Sequence, residues 1–380
     1  MGGSFIMSRN ASTIAAAIET PGVVISLKTV ESNIAKMAEA INKTSVQLRP
    51  HAKTHKLPQM AQRQLDEGAV GITVAKIAEA EVMASGGITD IFVAYPIVGM
   101  SKLERAVKLV QSGIRLIIGV DSLEGAQRIS QAASKHGVQL EVRMEIESGL
   151  NRTGVDASAA PALAQQISKL DGVLLSGIFT YRGAMLSGSA TTDLRAAGHE
   201  EGRFMVQTAE AIRAAGVAIR DISVGSSPTA LYAAEIEGIT EVRPGTYIYQ
   251  DVMQAAFGLC ETSDCAGAVM ATVVSRPTPT RIVIDGGSKT FATDVQPDKA
   301  PLHLKGFGHI VGDPDAVFER MNEEHGVISI KADSPYQVGD VIAIIPNHIC
   351  STINLHNFVY LQQADGTLVQ TPVAARGLLE

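Results

Sequence analysis

The chain has 380 residues, 46% of them apolar and 19% charged, and carries a formal net charge of −7. That balance excludes a disordered polymer, and the acidic surplus argues against nucleic acid as a partner. No apolar run approaches the roughly 18 residues of a membrane span, and three cysteines (Cys260, Cys265, Cys350) are too few for a disulfide framework, so a cytoplasmic protein is expected.

Residues 1–7 read as a flexible leader, without the cationic start and apolar stretch of a secretory signal. Short apolar runs follow in chain order: VVISLK from Val23, VQLR from Val46, VGITVA from Val70, DIFVAY from Asp90, IRLIIGV from Ile114, VQLEVRMEI from Val138, GVLLSGIFTY from Gly172, RDISVG from Arg220 and EVRPGTYIY from Glu241. Their continuous apolarity suits parallel strands buried on both faces. Amphipathic helix patterns lie between them. Ile34, Met37, Ala38 and Ile41 recur at i, i+3, i+4 and i+7, and residues 78–85, 103–111, 126–136, 160–170 and 201–215 behave alike. From Val46 on, eight strands, most followed by a helix, predict an α/β fold with a TIM-like (β/α)8 barrel; a doubly wound sheet is the alternative. After about Gln254 the helix pattern fades. AVMATVVSRP, RIVIDGG, GHIVG, GVISI, DVIAIIPNHIC and FVYLQ, separated by Gly, Pro and Asp turns, predict a β domain.

Five stretches carry residues suited to chemistry. In LRPHAKTHK (residues 48–56), Lys53 lies just past a barrel strand, where barrel active sites gather. A lysine there can form a Schiff base, with Arg49, His51, His55 and Lys56 as cationic neighbours; a solvated basic face is the plainer alternative. ESGLNRTGV holds Arg152, SVGSSPTA holds Gly225, Ser226 and Ser227, and VRPGTYIY holds Gly245 and Thr246. Gly/Ser loops that lead into helices can cradle phosphate, though each is more often only a turn. In IPNHICSTINLH, His348 and Cys350 would share one strand face and could bind one ion, against a buried cysteine beside a satisfied histidine. Two protein ligands suit an open catalytic site. Cys260 and Cys265 read as packing, and DGGSKT (residues 285–290) lacks the order and spacing of a P-loop.

Taken in order, RPHAKTHK, GLNRTG, VGSSPT, RPGTY, EHGVI and PNHICSTINLH resemble the D-threonine aldolase and D-serine dehydratase family, enzymes of the alanine racemase fold that use pyridoxal 5'-phosphate (PLP). The resemblance runs from about Glu19 to Gly377. It implies a PLP-binding barrel over residues 30–254, and a β domain formed by residues 10–29 and 255–380. It implies that Lys53 carries the cofactor and Arg152 lies near its phenolic oxygen. Tyr181, in FTYRGA, would pack on the pyridine ring. Gly225, Ser226, Ser227, Gly245 and Thr246 would bind phosphate, and Arg243 would contact the pyridine nitrogen and leave it unprotonated. His348 and Cys350 would hold a divalent metal (Zn, Mn or Mg); in an aldolase reaction His51, His55, His325 or a metal-bound water would be the base that takes the 3-hydroxyl proton. A homodimer and a small D-amino acid substrate are implied. The chain shows no counterpart of the racemase tyrosine, which favours lyase chemistry over racemization. H-x-C is the dehydratase pattern, whereas HAKTHK, YRGA and EHGV look more like aldolase segments. The expected reaction is dehydration of a D-3-hydroxy amino acid to a 2-oxo acid and ammonia, with retro-aldol cleavage as the alternative. A non-catalytic PLP carrier is the other-class alternative, and the full β domain argues against it.

Overall fold

The computed structural model describes residues 18–380; the leader at residues 1–7, and residues 10–17 of the expected β domain, lie outside the described residues. Backbone contacts divide the chain into two units. One holds the chain up to Ala35, Thr54–Lys56 and Thr246–Gly377; the other holds Lys36–Lys53, Leu57–Gly245 and Leu378–Glu380.

Strand β1 (Gly22–Ser26) and helix α1 (Leu27–Asn42) come first. The second unit then alternates β2 (Gln47–Leu48), α2 (Pro58–Asp66), β3 (Ile72–Val74), α3 (Ile77–Ser85), β4 (Asp90–Pro96), α4 (Met100–Gln111), β5 (Arg115–Val120), α5 (Leu123–His136), β6 (Leu140–Glu145), α6 (Ala160–Ile167) and β7 (Val173–Phe179). A small hairpin, β8 (Met185–Leu186) and β9 (Ser189–Ala190), precedes α7 (Leu194–Ala214), β10 (Asp221–Val224), α8 (Ala230–Ala233) and β11 (Glu241–Val242). The eight long-range strands are parallel, in the order β2-β11-β10-β7-β6-β5-β4-β3. The ends of that order meet: Thr73 N donates to Pro50 O at 2.8 Å, Val70 N donates to Leu48 O at 2.9 Å, and His51 bridges Thr73 in parallel. The sheet therefore closes into a barrel, which rules out the doubly wound alternative.

The helices follow the patterns expected of them. Ser122 caps α5 by accepting from Gly125 N at 3.2 Å, and Asp193 caps α7 by accepting from Ala196 N at 3.0 Å. Outward strand residues such as Ile91, Val93, Ile118, Val142 and Ile222 pack with Leu103, Ile129 and Met205 of the helices in one aliphatic core. The inward face differs from the continuous apolarity expected of these strands. Arg143 of β6 bonds Glu241 of β11, three strands away in the sheet order, so the contact crosses the barrel interior. Glu241 Oε1 accepts from Arg143 Nη1 at 2.6 Å and its Oε2 accepts from Arg49 Nε at 2.7 Å; Arg49 also reaches Asp90 Oδ1 at 2.5 Å. Arg49, Arg143 and Glu241 are each at most 2% exposed. The charges are tolerated there because each has an ionic partner. The period-2 alternation that would betray them is masked, because apolar neighbours outnumber them in each run.

This network makes a prediction about stability. Burial opposes ionisation of Glu241, but Arg143 and Arg49 together hold its carboxyl well below the usual range. A depressed carboxylate pKa adds stability that is present above the unfolded value of about 4.3 and fades as pH falls below it. Glu241→Gln is expected to cost about 3–5 kcal/mol at neutral pH, because it strands buried arginine charge, and to flatten the acid limb. Thermal melts of both proteins from pH 3 to 7 check this; equal melting temperatures throughout would refute it.

The other unit continues with α9 (Val252–Ala256), β12 (Gly267–Thr278), β13 (Arg281–Ile284), β14 (Gly308–Ile310), β15 (Val317–Met321), β16 (Gly326–Ser329), β17 (Val341–Pro346), α10 (Ile349–Leu355), β18 (Phe358–Gln362) and β19 (Leu368–Pro372). Its sheet runs β15-β16-β13-β12-β1-β18-β19, with β17 bridging β12 and β14. Pairing is antiparallel except between β1 and β18. Val24, Ala268, Met270, Ala343 and Ile345 enclose Cys265, which reads as packing here too, with Cys260 against the same cluster. Asp285, from the rejected P-loop stretch, is a structural acceptor: it takes hydrogen bonds from Thr20 Oγ1 at 2.6 Å and Thr272 N at 2.8 Å.

Candidate active site

In the barrel unit, Lys53, Arg152, Tyr181, the Gly225–Ser227 turn and the Arg243–Gly245 segment each follow the C-terminal end of a strand, namely β2, β6, β7, β10 and β11. Because the strands are parallel, all five stand at one mouth of the barrel. Lys53 sits in a single 3-10 turn, Ala52–Thr54, and its backbone N–H donates to His51 Nδ1 at 3.3 Å. Its Nζ lies 5.3 Å from the centre of the Tyr181 ring, and the Arg152 guanidinium lies 5.2 Å from the same ring. The structure thus brings together the lysine, the arginine and the aromatic ring named from sequence.

The solvated basic face is excluded by burial: Arg49, His55 and Lys56 are 1%, 0% and 5% exposed. Nor do these residues form a cationic collar. Arg49 is committed to Glu241 and Asp90, Lys56 Nζ donates to Ala375 O at 3.3 Å, and His55 sits edge-on to Tyr249 at 6.4 Å.

Arg243 is buried, with its guanidinium donating to Ser223 Oγ at 2.5 Å and to the Thr180 carbonyl oxygen. Burial pulls it down to about 10, so it is still a cation and a donor at neutral pH. Gly225 adopts φ +80°, and a Cβ there would come 3.0 Å from Ala230 Cα, so the turn needs glycine. Ser226 N donates to Thr229 Oγ1 at 3.2 Å, and Gly245 N donates to Ser227 Oγ at 3.2 Å. Sequence reasoning missed Glu145 at the end of β6. It is 4% exposed, accepts from Thr153 Oγ1 at 3.0 Å, and leaves Oε2 without a partner among the described residues; burial raises its carboxyl, against the charge of Arg152. An orphaned buried oxygen at this mouth fits a bound group that brings a donor.

The second cluster lies wholly in the β unit. β17 ends at Pro346, so His348 and Cys350 are not on a strand: His348 is the N-cap residue of α10, and Cys350 lies in its first turn. The pleat argument for their proximity therefore fails. They come near each other because His348 keeps an extended backbone (φ −135°, ψ 106°) just outside the helix whose first turn holds Cys350. His348 Nδ1 pairs with Asp294 Oδ2 at 2.6 Å, and Asp294 also accepts from Ser351 Oγ at 2.9 Å. Thr54 Oγ1 lies 3.1 Å and Thr246 Oγ1 3.4 Å from Cys350 Sγ. Thr246, named for phosphate, therefore has its hydroxyl on sulfur.

Burial disfavours charge on both members of the pair. The Cys350 charge nevertheless holds His348 well above its usual pKa, with help from Asp294, and the His348 charge holds Cys350 below its own. Each group therefore favours the charged form of the other. Asp251 completes the frame: its carboxylate accepts from Gln254 N at 2.9 Å and Ile349 N at 3.1 Å, and burial raises it to about 6.

Nearby Tyr249 is fully buried with an unpartnered hydroxyl, and burial first, then the Cys350 charge, raises it well above its usual pKa. Among the described residues no group of three or more His, Cys, Asp or Glu is placed to hold a metal. A thiolate, an imidazole fixed by a carboxylate and an orphaned hydroxyl are nonetheless a donor set that fits a softer divalent ion completed by non-protein ligands. His325 is exposed in the turn between β15 and β16, where its carbonyl accepts from Asn322 N at 2.9 Å. The His348–Cys350 cluster bonds instead to Asp294, Thr54 and Thr246.

Known proteins share this architecture. Residues 25–252 match the alanine racemase N-terminal domain family, and residues 266–362 match the putative serine dehydratase domain. The D-threo-3-hydroxyaspartate dehydratase of Delftia sp. (strain HT23) is 34% identical over 88% of this chain and 92% of its own. The D-threonine aldolase of an Arthrobacter species is 31% identical over 95% of this chain and 94% of its own. A solved structure of D-threo-3-hydroxyaspartate dehydratase, a cysteine-to-alanine variant in the metal-free form, superposes with a TM-score of 0.85 at 32% identity, covering 94% of this chain and 98% of that one.

Proposed function

The chain belongs to the D-threonine aldolase and D-serine dehydratase family of the alanine racemase fold, and from that premise we propose a PLP- and divalent-metal-dependent lyase that dehydrates D-3-hydroxy amino acids to a 2-oxo acid and ammonia. The observation that carries the dehydratase reading is Cys350: a buried thiol held toward thiolate by His348, with two threonine hydroxyls on its sulfur. Thiolate favours zinc or a similar softer ion, and a relative named as a dehydratase is described without metal as its cysteine-to-alanine variant.

PLP, when bound, supplies an electron sink for the substrate Cα. The metal supplies a Lewis acid for the 3-hydroxyl. In this reading Lys53 Nζ would hold the cofactor and, once displaced from it by the substrate amine, would take the Cα proton. The Tyr181 ring keeps Lys53 and Arg152 on one wall of the barrel mouth. Arg243, a donor only, would leave a pyridine nitrogen unprotonated. Ser226, Ser227, Gly245 and Thr246 would hold phosphate, with the left-handed backbone of Gly225 shaping the turn. His348 and Cys350 would bind the metal, with Asp294 fixing the imidazole tautomer. For the aldol alternative, His51 or His55 would be the base that takes the 3-hydroxyl proton. The family also supports a homodimer, and three unpaired cysteines suit the cytoplasm.

The similarity to D-threonine aldolase keeps one second reading: retro-aldol cleavage to glycine and an aldehyde. Incubating the PLP- and zinc-loaded protein with D-threonine separates the two. 2-Oxobutanoate with ammonia is expected; glycine with acetaldehyde would replace dehydration by aldol cleavage. Neither product, and no spectral response of bound PLP, would remove both.

A further inference from the structure

One carboxylate has no place in this chemistry and lies behind the turn assigned to phosphate. The buried stripe of α7 runs Leu194, Ala197, Gly198, Glu201, Gly202 and Met205, at helical spacing, and Glu201 is its one charged member. The stripe is otherwise small because the neighbouring backbone is close. A Cβ at Gly198 would meet Thr229 O at 2.9 Å and Tyr232 Cβ at 2.8 Å, and one at Gly202 would meet Ile236 Cγ1 at 2.8 Å. That close approach lets Glu201, 0% exposed, reach the turn after β10. Its Oε1 accepts from Gly225 N at 3.2 Å, and its Oε2 accepts from Thr229 Oγ1 at 3.1 Å. Thr229 Oγ1 in turn accepts from Ser226 N at 3.2 Å and lies 3.0 Å from Ser226 Oγ. Both ends of the turn hang on this one side chain.

We propose that Glu201 is a positioning residue for the phosphate of the cofactor: it fixes the Gly225–Ser227 turn from behind through its hydrogen bonds to Gly225 N and Thr229 Oγ1, not through its charge. The proposal rests on the reading of that turn as the phosphate site. A negative charge behind a phosphate would repel it, and burial, the largest influence on Glu201, favours the neutral acid. The Gly225 N–H is taken by Glu201, so Gly225 serves the site through its left-handed backbone, while Ser226 and Ser227 present the groups that meet phosphate. Glutamine keeps both contacts: its oxygen accepts from Gly225 N, its amide donates to Thr229 Oγ1 where Oε2 accepts in the wild type, and the threonine hydroxyl turns toward Ser226. Leucine fills the space and accepts nothing.

The test titrates wild type, Glu201→Gln and Glu201→Leu with PLP and with pyridoxal, which lacks the phosphate, and reads the affinity ratio from absorbance of the bound chromophore. Glu201→Gln is expected to keep the wild-type ratio. Glu201→Leu is expected to lower it about tenfold or more, the effect of leaving buried donors unpaired, with pyridoxal affinity unchanged. A general structural defect would weaken both ligands alike. A Leu variant that keeps the ratio, or a Gln variant that loses it, overturns the proposal. A wild type that does not prefer PLP strikes instead at the phosphate reading of the turn. Should Glu201→Leu not fold, Thr229→Val removes the bridge to Ser226 and must lower the same ratio.

Discussion

Lys53→Ala is expected to abolish the visible band of bound PLP, make the protein insensitive to borohydride, and lower turnover of D-threonine by about 10²- to 10⁴-fold, the range for losing a positioned acid–base group. The structure makes this a clean substitution. The backbone of Lys53 is fixed independently of its side chain, by the 3-10 turn, by its bond to His51 Nδ1 and by the His51–Thr73 bridge that closes the barrel. What is lost is Nζ, which lies 5.3 Å over Tyr181. Melting temperature should therefore stay near wild type. Lys53→Arg sharpens the test, since it keeps a cation over the ring but offers no nucleophilic amine at working pH. It should be as inactive as the alanine variant. A Lys53→Arg protein that still gave a borohydride-sensitive band and normal turnover would show that the cofactor lysine lies elsewhere.

The position of Lys53 was legible in the sequence because the segments singled out there are those that follow β2, β6, β7, β10 and β11, at one mouth of the barrel. Alternation of apolar runs and amphipathic stripes is a local signal, so the barrel could be read as well. Glu201 could not. Its helix was expected to begin at 201, whereas it starts at Leu194, and its partners Gly225 and Thr229 are 24 and 28 residues away. Asp294 is likewise 54 residues from His348, in a segment without strand or helix pattern. The charged barrel interior escaped for another reason. Arg143 and Glu241 look like solvent-facing residues in their own strands, and only closure of the sheet turns those positions inward. The strand-to-helix change at His348 was read past because Ile349 and Cys350 resume the apolar pattern of the strand, although Pro346 and Asn347 are turn residues.

Replacing Cys350 is the second substitution expected to have a large effect, and it tests the step from ligand to reaction. Cys350→Ala removes the thiolate and leaves His348 without the charge that raises it. A Lewis acid worth several kcal/mol is about a thousandfold in rate or more, so turnover should fall by that order while bound PLP is unaffected. Elemental analysis should show zinc lost in parallel. A Cys350→Ala enzyme with normal turnover after chelation would remove the metal from the reaction altogether. Cys350→Asp is more informative, because it keeps an anionic ligand but exchanges soft sulfur for hard oxygen, which should move the preference from zinc toward manganese. Thr54 and Thr246, spaced at 3.1 Å and 3.4 Å around sulfur, would then face a larger, planar group. If the ligand chooses the reaction, the manganese-loaded Cys350→Asp enzyme will form more glycine and acetaldehyde from D-threonine at the expense of 2-oxobutanoate. If the product ratio holds while the metal preference moves, the choice between dehydration and aldol cleavage belongs to the base that acts at the 3-hydroxyl, and His51 and His55 become the residues to exchange.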